Sequence, residues 1–273
     1  MNPLLTHLKR RLSGGSSPLL KLALALRDPM QHPRLMALDR TRRVVVLAPH
    51  MDDEAIGCGG AILQHVASGA RVVVAFLTDG QAGDRRLYDP TLPDGERQAI
   101  RRWLYDTRRD EAQRWCAGAG VAAHHFFDAP DGRLGDEKIL TQTEPLLRGL
   151  LRRERPEVIY LPSLLDTHKD HAASNMLLMR SLAATGPAPV WVRGFEVWSP
   201  TAANAVLDIT SSWPRKRDLL LGYRSQLTDV DYVRAIEGLN AYRAMLLPTG
   251  NGHAEAFLQL TPTEHAKCMA AFA

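Results

Sequence analysis

The sequence has few cysteines and no cysteine motif. Its three cysteines, Cys58, Cys116 and Cys268, are widely spaced in a chain of 273 residues and form no Cys-x-x-Cys pair. These counts exclude a disulfide framework and a cysteine-based zinc site. Such sparse cysteine usage favours a reducing compartment, and we expect a cytoplasmic protein.

Long apolar runs and a strong net charge are also absent. The run from Leu19 to Leu26 is interrupted by Lys21, and it is far shorter than the ~20 residues that a membrane-spanning helix needs. The formal net charge of +4 is mild for this length, so we predict no nucleic-acid partner. With 45% apolar residues, the chain can bury the core of one enzyme domain.

Residues 1–40 differ in character from the rest of the chain. Gly14-Gly15-Ser16-Ser17 is typical of a linker, and a basic and apolar mixture surrounds it. We expect residues 1–40 to form a helical N-terminal extension packed on a domain spanning 41–273. The alternative is weak peripheral contact of this segment with a membrane. No pattern indicates the oligomeric state.

Strand-like and helix-like patterns alternate from residue 43 onward. This order predicts an α/β fold, a Rossmann-like three-layer α/β/α sandwich with a mostly parallel sheet. An edge strand is expected at 255–260. The other predicted strands are 43–48, 71–77, 122–127, 157–161, 190–197 and 205–209, and the predicted helices are 54–68, 96–118, 136–154, 171–184 and two more from Trp213 and Asp231.

Two clusters of histidines and acids each follow a strand-like run. His50 and Asp52-Asp53-Glu54 come directly after the apolar run Val44 to Ala48, and the segment 166–171 follows a second run at 158–162. Open α/β sheets keep their ligand sites at the carboxyl ends of strands. The two clusters therefore predict one site.

Spacing assigns roles within this site. Residues three apart share one side of a helical turn, so His50 and Asp53 can hold one ion while Asp52 points elsewhere and is free to act as general base. With His171 as third ligand, two imidazoles and one carboxylate match catalytic zinc with an open position. His168, beside Asp170, can stabilise an oxyanion or protonate a leaving nitrogen.

Other interpretations use the same residues. Acids at a helix start often only cap the helix. Two histidines and a carboxylate also bind non-haem iron, so Fe²⁺ or another divalent ion is an alternative to Zn²⁺. Such oxygenases usually have all-β frames, which this alternating pattern excludes, and a two-metal phosphoesterase needs more bridging carboxylates.

Several motifs resemble those of the PIG-L (LmbE-like) family. The two principal ones are the Pro-His-x-Asp-Asp-Glu segment at 49–54, followed by Gly57, Gly59 and Gly60, and His168-Lys169-Asp170-His171. The similarity runs in family order over residues 42–260. Its further motifs are Thr78-Asp79-Gly80, Arg108-Arg109-Asp110-Glu111-Ala112, Ala129-Pro130-Asp131-Gly132-x-Leu134, Lys216, Tyr223-x-Ser225-Gln226 and Ala254-Glu255-Ala256-Phe257.

The resemblance implies a zinc-dependent deacetylase of N-acetylglucosamine conjugates. Residue by residue, it makes His50, Asp53 and His171 the zinc ligands and Asp52 the general base. It makes His168 the electrophilic or acid partner, supported by Asp170.

Two further positions follow from the same resemblance. Arg108 resembles an arginine that lines the family's sugar pocket, and Arg109 is the alternative if the helix register differs by one. Met51 stands where the family usually has proline, so the turn is expected to be less rigid, with no ligand lost.

We therefore predict a hydrolase that removes the N-acetyl group from an N-acetylglucosamine-containing glycoconjugate or small-molecule glycoside, releasing acetate and a free amine. The segments 81–95 and 228–232 are expected to overhang the site. The alternatives are hydrolysis of another amide or of a phosphoester, and a non-catalytic sugar-binding protein of the same fold.

Overall fold

The computed structural model describes residues 32–38, 41–185 and 189–270. Within them, eight strands form one sheet in the order β1-β7-β8-β6-β5-β2-β3-β4. The strands are β1 (Arg34–Leu35), β2 (Arg43–Ala48), β3 (Arg71–Thr78), β4 (Ala123–Ala129), β5 (Val158–Pro162), β6 (Trp191–Phe195), β7 (Ala205–Asp208) and β8 (Ala254–Leu260).

The strand pairing confirms a mostly parallel sheet. Strands β6, β5, β2, β3 and β4 pair in parallel, as do β1 and β7. Strand β8 pairs antiparallel with both β6 and β7. The prediction of an edge strand at 255–260 was therefore wrong in position, because β8 is inserted inside the sheet.

Helices cover both faces of the sheet, which confirms the three-layer sandwich. Along β2, Val44 and Val46 join one buried apolar cluster, while Val45 and Leu47 join the cluster on the opposite face. A strand buried on both faces is continuously apolar for this reason. The helices are α1 (Asp53–Ala67), α2 (Asp94–Ala119), α3 (Glu137–Glu154), α4 (Lys169–Thr185), α5 (Trp213–Leu220), α6 (Arg224–Leu227), α7 (Tyr232–Arg243) and α8 (Pro262–Ala270), with 3-10 turns at Arg85–Tyr88 and Ala244–Leu246.

Strand β2 lies at the point where the strand order reverses. Its two neighbours are β3 on one side and β5 on the other. In doubly wound sheets the crevice at such a switch point is where ligands bind. The carboxyl ends of β2 and β5 are thus adjacent, and both predicted clusters start there.

Helix α1 is kinked and packs closely on the sheet. Cys58 has non-helical backbone angles, φ −144° and ψ 23°. Beyond the kink, the amides of Gly60 and Ala61 donate to the Glu255 carboxylate at 2.7 and 2.8 Å. A Cβ atom at Gly57 would collide with the Phe195 ring, so the small residues of this helix permit its close approach to β6.

The predicted N-terminal extension is described only in part. Arg34–Leu35 pair with β7, so the sheet includes a strand before residue 41. The extension was predicted to be helical over residues 1–40; of these, 32–38 are described and contain this strand, while 1–31, 39 and 40 lie outside the described residues. Among the described helices, none has the length and apolarity to cross a membrane.

Candidate active site

The two histidine clusters meet at the carboxyl ends of β2 and β5. The ring centroid of His50 lies 4.7 Å from that of His168 and 5.4 Å from that of His171. One ring nitrogen from each of the three histidines falls within 4.8 Å of the others. The structure thus brings together residues that are far apart in sequence.

Asp53, the first residue of α1, lies between two of these imidazoles. Its Oδ2 atom is 3.2 Å from Nδ1 of His50 and 3.2 Å from Nε2 of His171. The His171 Nε2 atom is buried and forms no hydrogen bond with any described residue. A buried lone pair facing a carboxylate is costly unless something positive joins them.

Further carboxylates face the outer nitrogens of the same imidazoles. Asp166 Oδ1 lies 3.0 Å from Nδ1 of His171. Asp131 Oδ1 and Asp170 Oδ2 each lie 3.3 Å from Nε2 of His50. Metal-binding histidines typically direct their second nitrogen at a carboxylate, which fixes the tautomer. The donor set therefore fits a divalent metal held by His50 Nδ1, Asp53 Oδ2 and His171 Nε2.

A second set of residues, which combines His50 with two carboxylates, could also bind a cation. His50, Asp131 and Asp170 offer ligand atoms within 4.8 Å of one another. However, Asp170 already accepts from the amides of Gly132 at 2.6 Å and Leu134 at 3.0 Å, and Asp131 Oδ2 accepts from Ala82 N at 2.9 Å. The carboxylates of Asp131 and Asp170 are therefore already engaged with backbone amides and serve to hold His50. The set of His50, Asp53 and His171 fits a metal ion better.

The structure shows how Asp170 acts on His168. Its carboxylate contacts His50 and the two amides of the 132–134 loop, and its negative charge partly offsets the lowering of the His168 pKa by burial and by His50. The hydrogen bond between the two residues runs from Asp170 N to His168 Nδ1 at 3.3 Å. The carboxylate turns away because it caps the loop after β4.

Asp52 occupies a strained backbone position beside the predicted ligands. Its φ is 137°, a region that non-glycine residues rarely adopt. Its N–H donates to Glu54 Oε2 at 3.2 Å, and Tyr223 Oη donates a short hydrogen bond to the other oxygen of Glu54. Glu54 and Tyr223 are both buried, so this pair holds the turn that presents Asp52.

Arg108 lines the cavity and also contacts the predicted base. Its side chain projects from α2, is buried, and donates to Asp52 Oδ1 at 3.2 Å and to Met51 O at 2.9 Å. Arg109 instead points to Asp128 at the edge strand β4. The helix register therefore places Arg108, and not Arg109, at the site. Met51 is fully buried and its carbonyl is fixed by Arg108.

Burial and neighbouring charges shift the pKa of several site residues. Burial lowers the pKa of His171, but the carboxylates of Asp53 and Asp166 outweigh it and raise the pKa to about 9. Burial raises the pKa of Asp52 to about 7, opposed by the Arg108 guanidinium. Burial lowers the pKa of the half-buried His168, and the charge of His50 adds to this effect.

A cavity of about 570 Å³ opens above these residues. Ligand pockets commonly measure ~300–1,000 Å³. Residues from both expected overhanging segments line it, which confirms their position over the site. The lining residues are His50, Asp52, Asp53, Ile56, Ala82, Gly83, Asp84, Arg85, Tyr88, Arg108, Asp131, Gly132, Arg133, His168, Lys169, Val197, Trp198, Ser225, Gln226, Asp229, Val230 and Tyr232.

Sequence reasoning missed three parts of the site. It gave no role to Asp131, although this residue lies in a quoted motif after β4. It also gave no role to Asp166, which opens the second cluster, or to the pair of Glu54 and Tyr223. Asp131 and Asp166 each follow the end of a strand, and this position could have marked them as site residues. No local sequence pattern indicates that Glu54 pairs with Tyr223.

The chain matches a known protein family and resembles solved structures. A model of the PIG-L family, described as GlcNAc-PI de-N-acetylase, matches residues 45–182, which is half of the 273 residues. The conserved protein TT1542 from Thermus thermophilus has a similar solved structure, with a TM-score of 0.65 and 26% identity. The match covers 81% of this chain and 96% of that one.

Two curated relatives have named activities. A 1D-myo-inositol 2-acetamido-2-deoxy-alpha-D-glucopyranoside deacetylase from Kineococcus radiotolerans is 32% identical over 105 residues, which is 38% of this chain and 27% of the relative. A diacetylchitobiose deacetylase from Thermococcus kodakarensis is 29% identical over 148 residues, which is 53% of this chain and 51% of the relative. The chain thus spans about half or less of these relatives.

Proposed function

Because the chain belongs to the PIG-L family, we propose that it is a metal-dependent hydrolase that removes the acetyl group from an N-acetylglucosamine conjugate. The family description and the names of both relatives support this substrate class, since each refers to an acetylated glucosamine unit. Acetate and a free amine would be the products.

The observation that carries the proposal is the position of Asp53 Oδ2, 3.2 Å from a ring nitrogen of both His50 and His171. These three residues would hold the ion. Two imidazoles and one carboxylate favour Zn²⁺, with Fe²⁺ as the alternative. When bound, such an ion polarises a carbonyl and makes a water molecule more acidic.

Asp52 would act as general base in this reaction. Arg108 and Glu54 fix its side chain and backbone at the cavity floor. Arg108 engages Oδ1, and no described residue donates a hydrogen bond to Oδ2, so this oxygen is available to take a proton from water. A positioned carboxylate that lines the same cavity as the ligands can act as such a base.

His168 would serve the opposite side of the acetamide. It lines the cavity, is half-buried, and accepts a hydrogen bond from Asp170 N on Nδ1. That bond favours the proton on Nε2, which can then donate to the developing oxyanion. The amine leaves after receiving a proton from Asp52 or from His168.

Acetate release tests the proposal. Purified protein, stripped of metal and then restored with zinc, is assayed on free N-acetylglucosamine, its β-1,4-linked dimer and the inositol glycoside. Release should require zinc and should fall about 10²–10⁴-fold in Asp52→Asn. The matched control is Asp106→Asn, since Asp106 is exposed on the same helix as Arg108. No release from any conjugate at one bound zinc per chain would overturn the proposal.

A further inference from the structure

Trp198 is a large apolar side chain left exposed inside the cavity. It is 51% exposed and lines the same cavity as His50, Asp52 and His168. Val197, its neighbour in sequence, and Tyr232 also line this cavity. An exposed aromatic group in a concave site that also holds polar side chains usually marks a contact with a ligand.

The indole is held in place by its surroundings. The backbone N–H of Trp198 donates to Asp166 Oδ2 at 2.9 Å. The indole ring packs edge-on against the Tyr232 ring, with ring centroids 5.9 Å apart and planes at 74°. The loop carrying it is pinned by the buried Glu196, which accepts from Thr201 N at 2.6 Å and pairs with Arg243. These contacts fix the backbone that carries the indole, and the indole rests against Tyr232 as a platform facing the cavity.

One carboxylate connects this platform to the reacting centre. Asp166 Oδ2 accepts from Trp198 N, while Asp166 Oδ1 lies 3.0 Å from Nδ1 of His171. The backbone of residue 198 is thus linked to a predicted metal ligand through a single side chain. Trp198 follows β6 and Asp52 follows β2, and β5 lies between these two strands in the sheet. Because neighbouring strands lie ~4.8 Å apart, the two strand ends are separated by about 10 Å. A substrate whose acetamide sits at Asp52 would therefore reach Trp198 with the part attached beyond that sugar.

We propose that Trp198, braced by Tyr232, forms a stacking subsite for a second saturated six-membered polyol ring, sugar or cyclitol, joined to the acetamido sugar. This inference rests on the proposed deacetylase function. Such a ring has an apolar C–H face and a rim of hydroxyls. Its face suits the negative face of an aromatic ring, and its hydroxyls suit polar neighbours.

The mixed lining of the cavity distinguishes this ligand from an acyl chain. Charged Lys169 and Asp229 line it together with Val197 and Val230. Lys169 and Asp229 form no ion pair with any described residue, so both can bond hydroxyls. A lipid chain would need a continuous apolar wall, whereas here charged and apolar groups are mixed.

Kinetics on one-ring and two-ring substrates test the subsite. Trp198→Ala should lower kcat/KM about tenfold for the β-1,4-linked dimer or the inositol glycoside, mainly through KM, and less than about twofold for free N-acetylglucosamine. Trp198→Phe should restore most of the loss. Trp191→Ala is the matched control, because Trp191 is 43% exposed at the start of β6 and outside the cavity.

Binding by calorimetry to the metal-stripped protein separates this inference from the proposed function. Wild type should bind a two-ring ligand about tenfold more tightly than Trp198→Ala, even if no acetate is released. Equal losses on one-ring and two-ring substrates would indicate a structural role and overturn the subsite. Unchanged two-ring binding in Trp198→Ala would also overturn it.

Discussion

Arg108 Nη2 lies 3.2 Å from Asp52 Oδ1 and 2.9 Å from the carbonyl oxygen of Met51. One guanidinium thus holds both the side chain of the proposed base and the backbone of the turn that carries it. That turn needs support, because Asp52 has a φ of 137° and such a conformation is strained.

Replacing Arg108 should affect turnover more than substrate binding. We expect Arg108→Gln to lower kcat by about 100-fold, because small displacements of a catalytic group are costly, with a smaller change in KM. Arg109→Gln is the control and should change either parameter less than about twofold, since Arg109 pairs with Asp128 away from the cavity. A change confined to KM in Arg108→Gln would favour a role in sugar binding alone.

Asp52→Asn should separate catalysis from metal binding. The substitution keeps the shape of the side chain and leaves His50, Asp53 and His171 intact, so zinc content should remain at one per chain. Turnover should fall about 10²–10⁴-fold, the usual contribution of a general base. Elemental analysis and acetate release check both parts, and unchanged turnover would remove Asp52 from the mechanism.

Asp166→Asn should weaken metal binding without removing a ligand. Its carboxylate lies 3.0 Å from His171 Nδ1, and loss of such an outer partner typically costs 10–100-fold in metal affinity. His171→Ala should lose the metal more completely. Competition with a chelator measures both affinities. Full zinc occupancy in His171→Ala would show that the third ligand was assigned wrongly.

His65 should make stability fall in acid. It is buried against Tyr160 Oη at 3.0 Å, and burial lowers its pKa to about 3. At a pH below about 6.5, the usual pKa of histidine, His65 is therefore protonated in the unfolded chain but stays neutral in the folded chain. From pH 7 to pH 5 this lowers the free energy of unfolding by about 2 kcal/mol.

Urea unfolding at both pH values checks this contribution. In His65→Gln the drop between pH 7 and pH 5 should be about 2 kcal/mol smaller than in wild type. His32→Gln serves as control because His32 is exposed. An equal drop in wild type and His65→Gln would mean that His65 is protonated in the folded chain.

Local patterns predicted most of the sheet and the core of the site. The apolar runs gave β2, β3 and β5, because a strand buried on both faces must be continuously apolar. The spacing of His50 and Asp53 predicted that their side chains lie together, because residues three apart share one side of a helical turn. The sequence placed the second cluster at the same edge of the sheet, but His171 lies beside these residues because β2 pairs with β5, a pairing of non-consecutive strands that alternation alone does not specify.

The remaining features depend on contacts that no local pattern encodes. Strand β8 inserts between β6 and β7, a choice set by packing of whole elements. The direction of the Asp170 carboxylate is decided by two amides of the loop after β4. The bond between Glu54 and Tyr223 joins a turn to a segment far along the chain. Spacing within one element does not reveal such pairs.

The brace behind α1 comes from the last third of the chain. Glu255 caps the second half of the kinked helix, and the buried Lys216 Nζ donates to Glu255 Oε1 at 2.7 Å and to Ile56 O at 2.8 Å. Both residues lie beyond residue 182, where the family match ends.

A chain cut after residue 182 would therefore keep every predicted ligand and the base but leave the Gly60 and Ala61 amides without their acceptor. It would also lose strands β6 and β8, on which the helix rests. We expect a fragment of residues 41–182 to lack cooperative thermal unfolding by circular dichroism, in contrast to the full chain. We therefore expect that the stretch that carries the chemistry does not fold autonomously, and that Asp53 faces both histidines only when the later chain segments are docked.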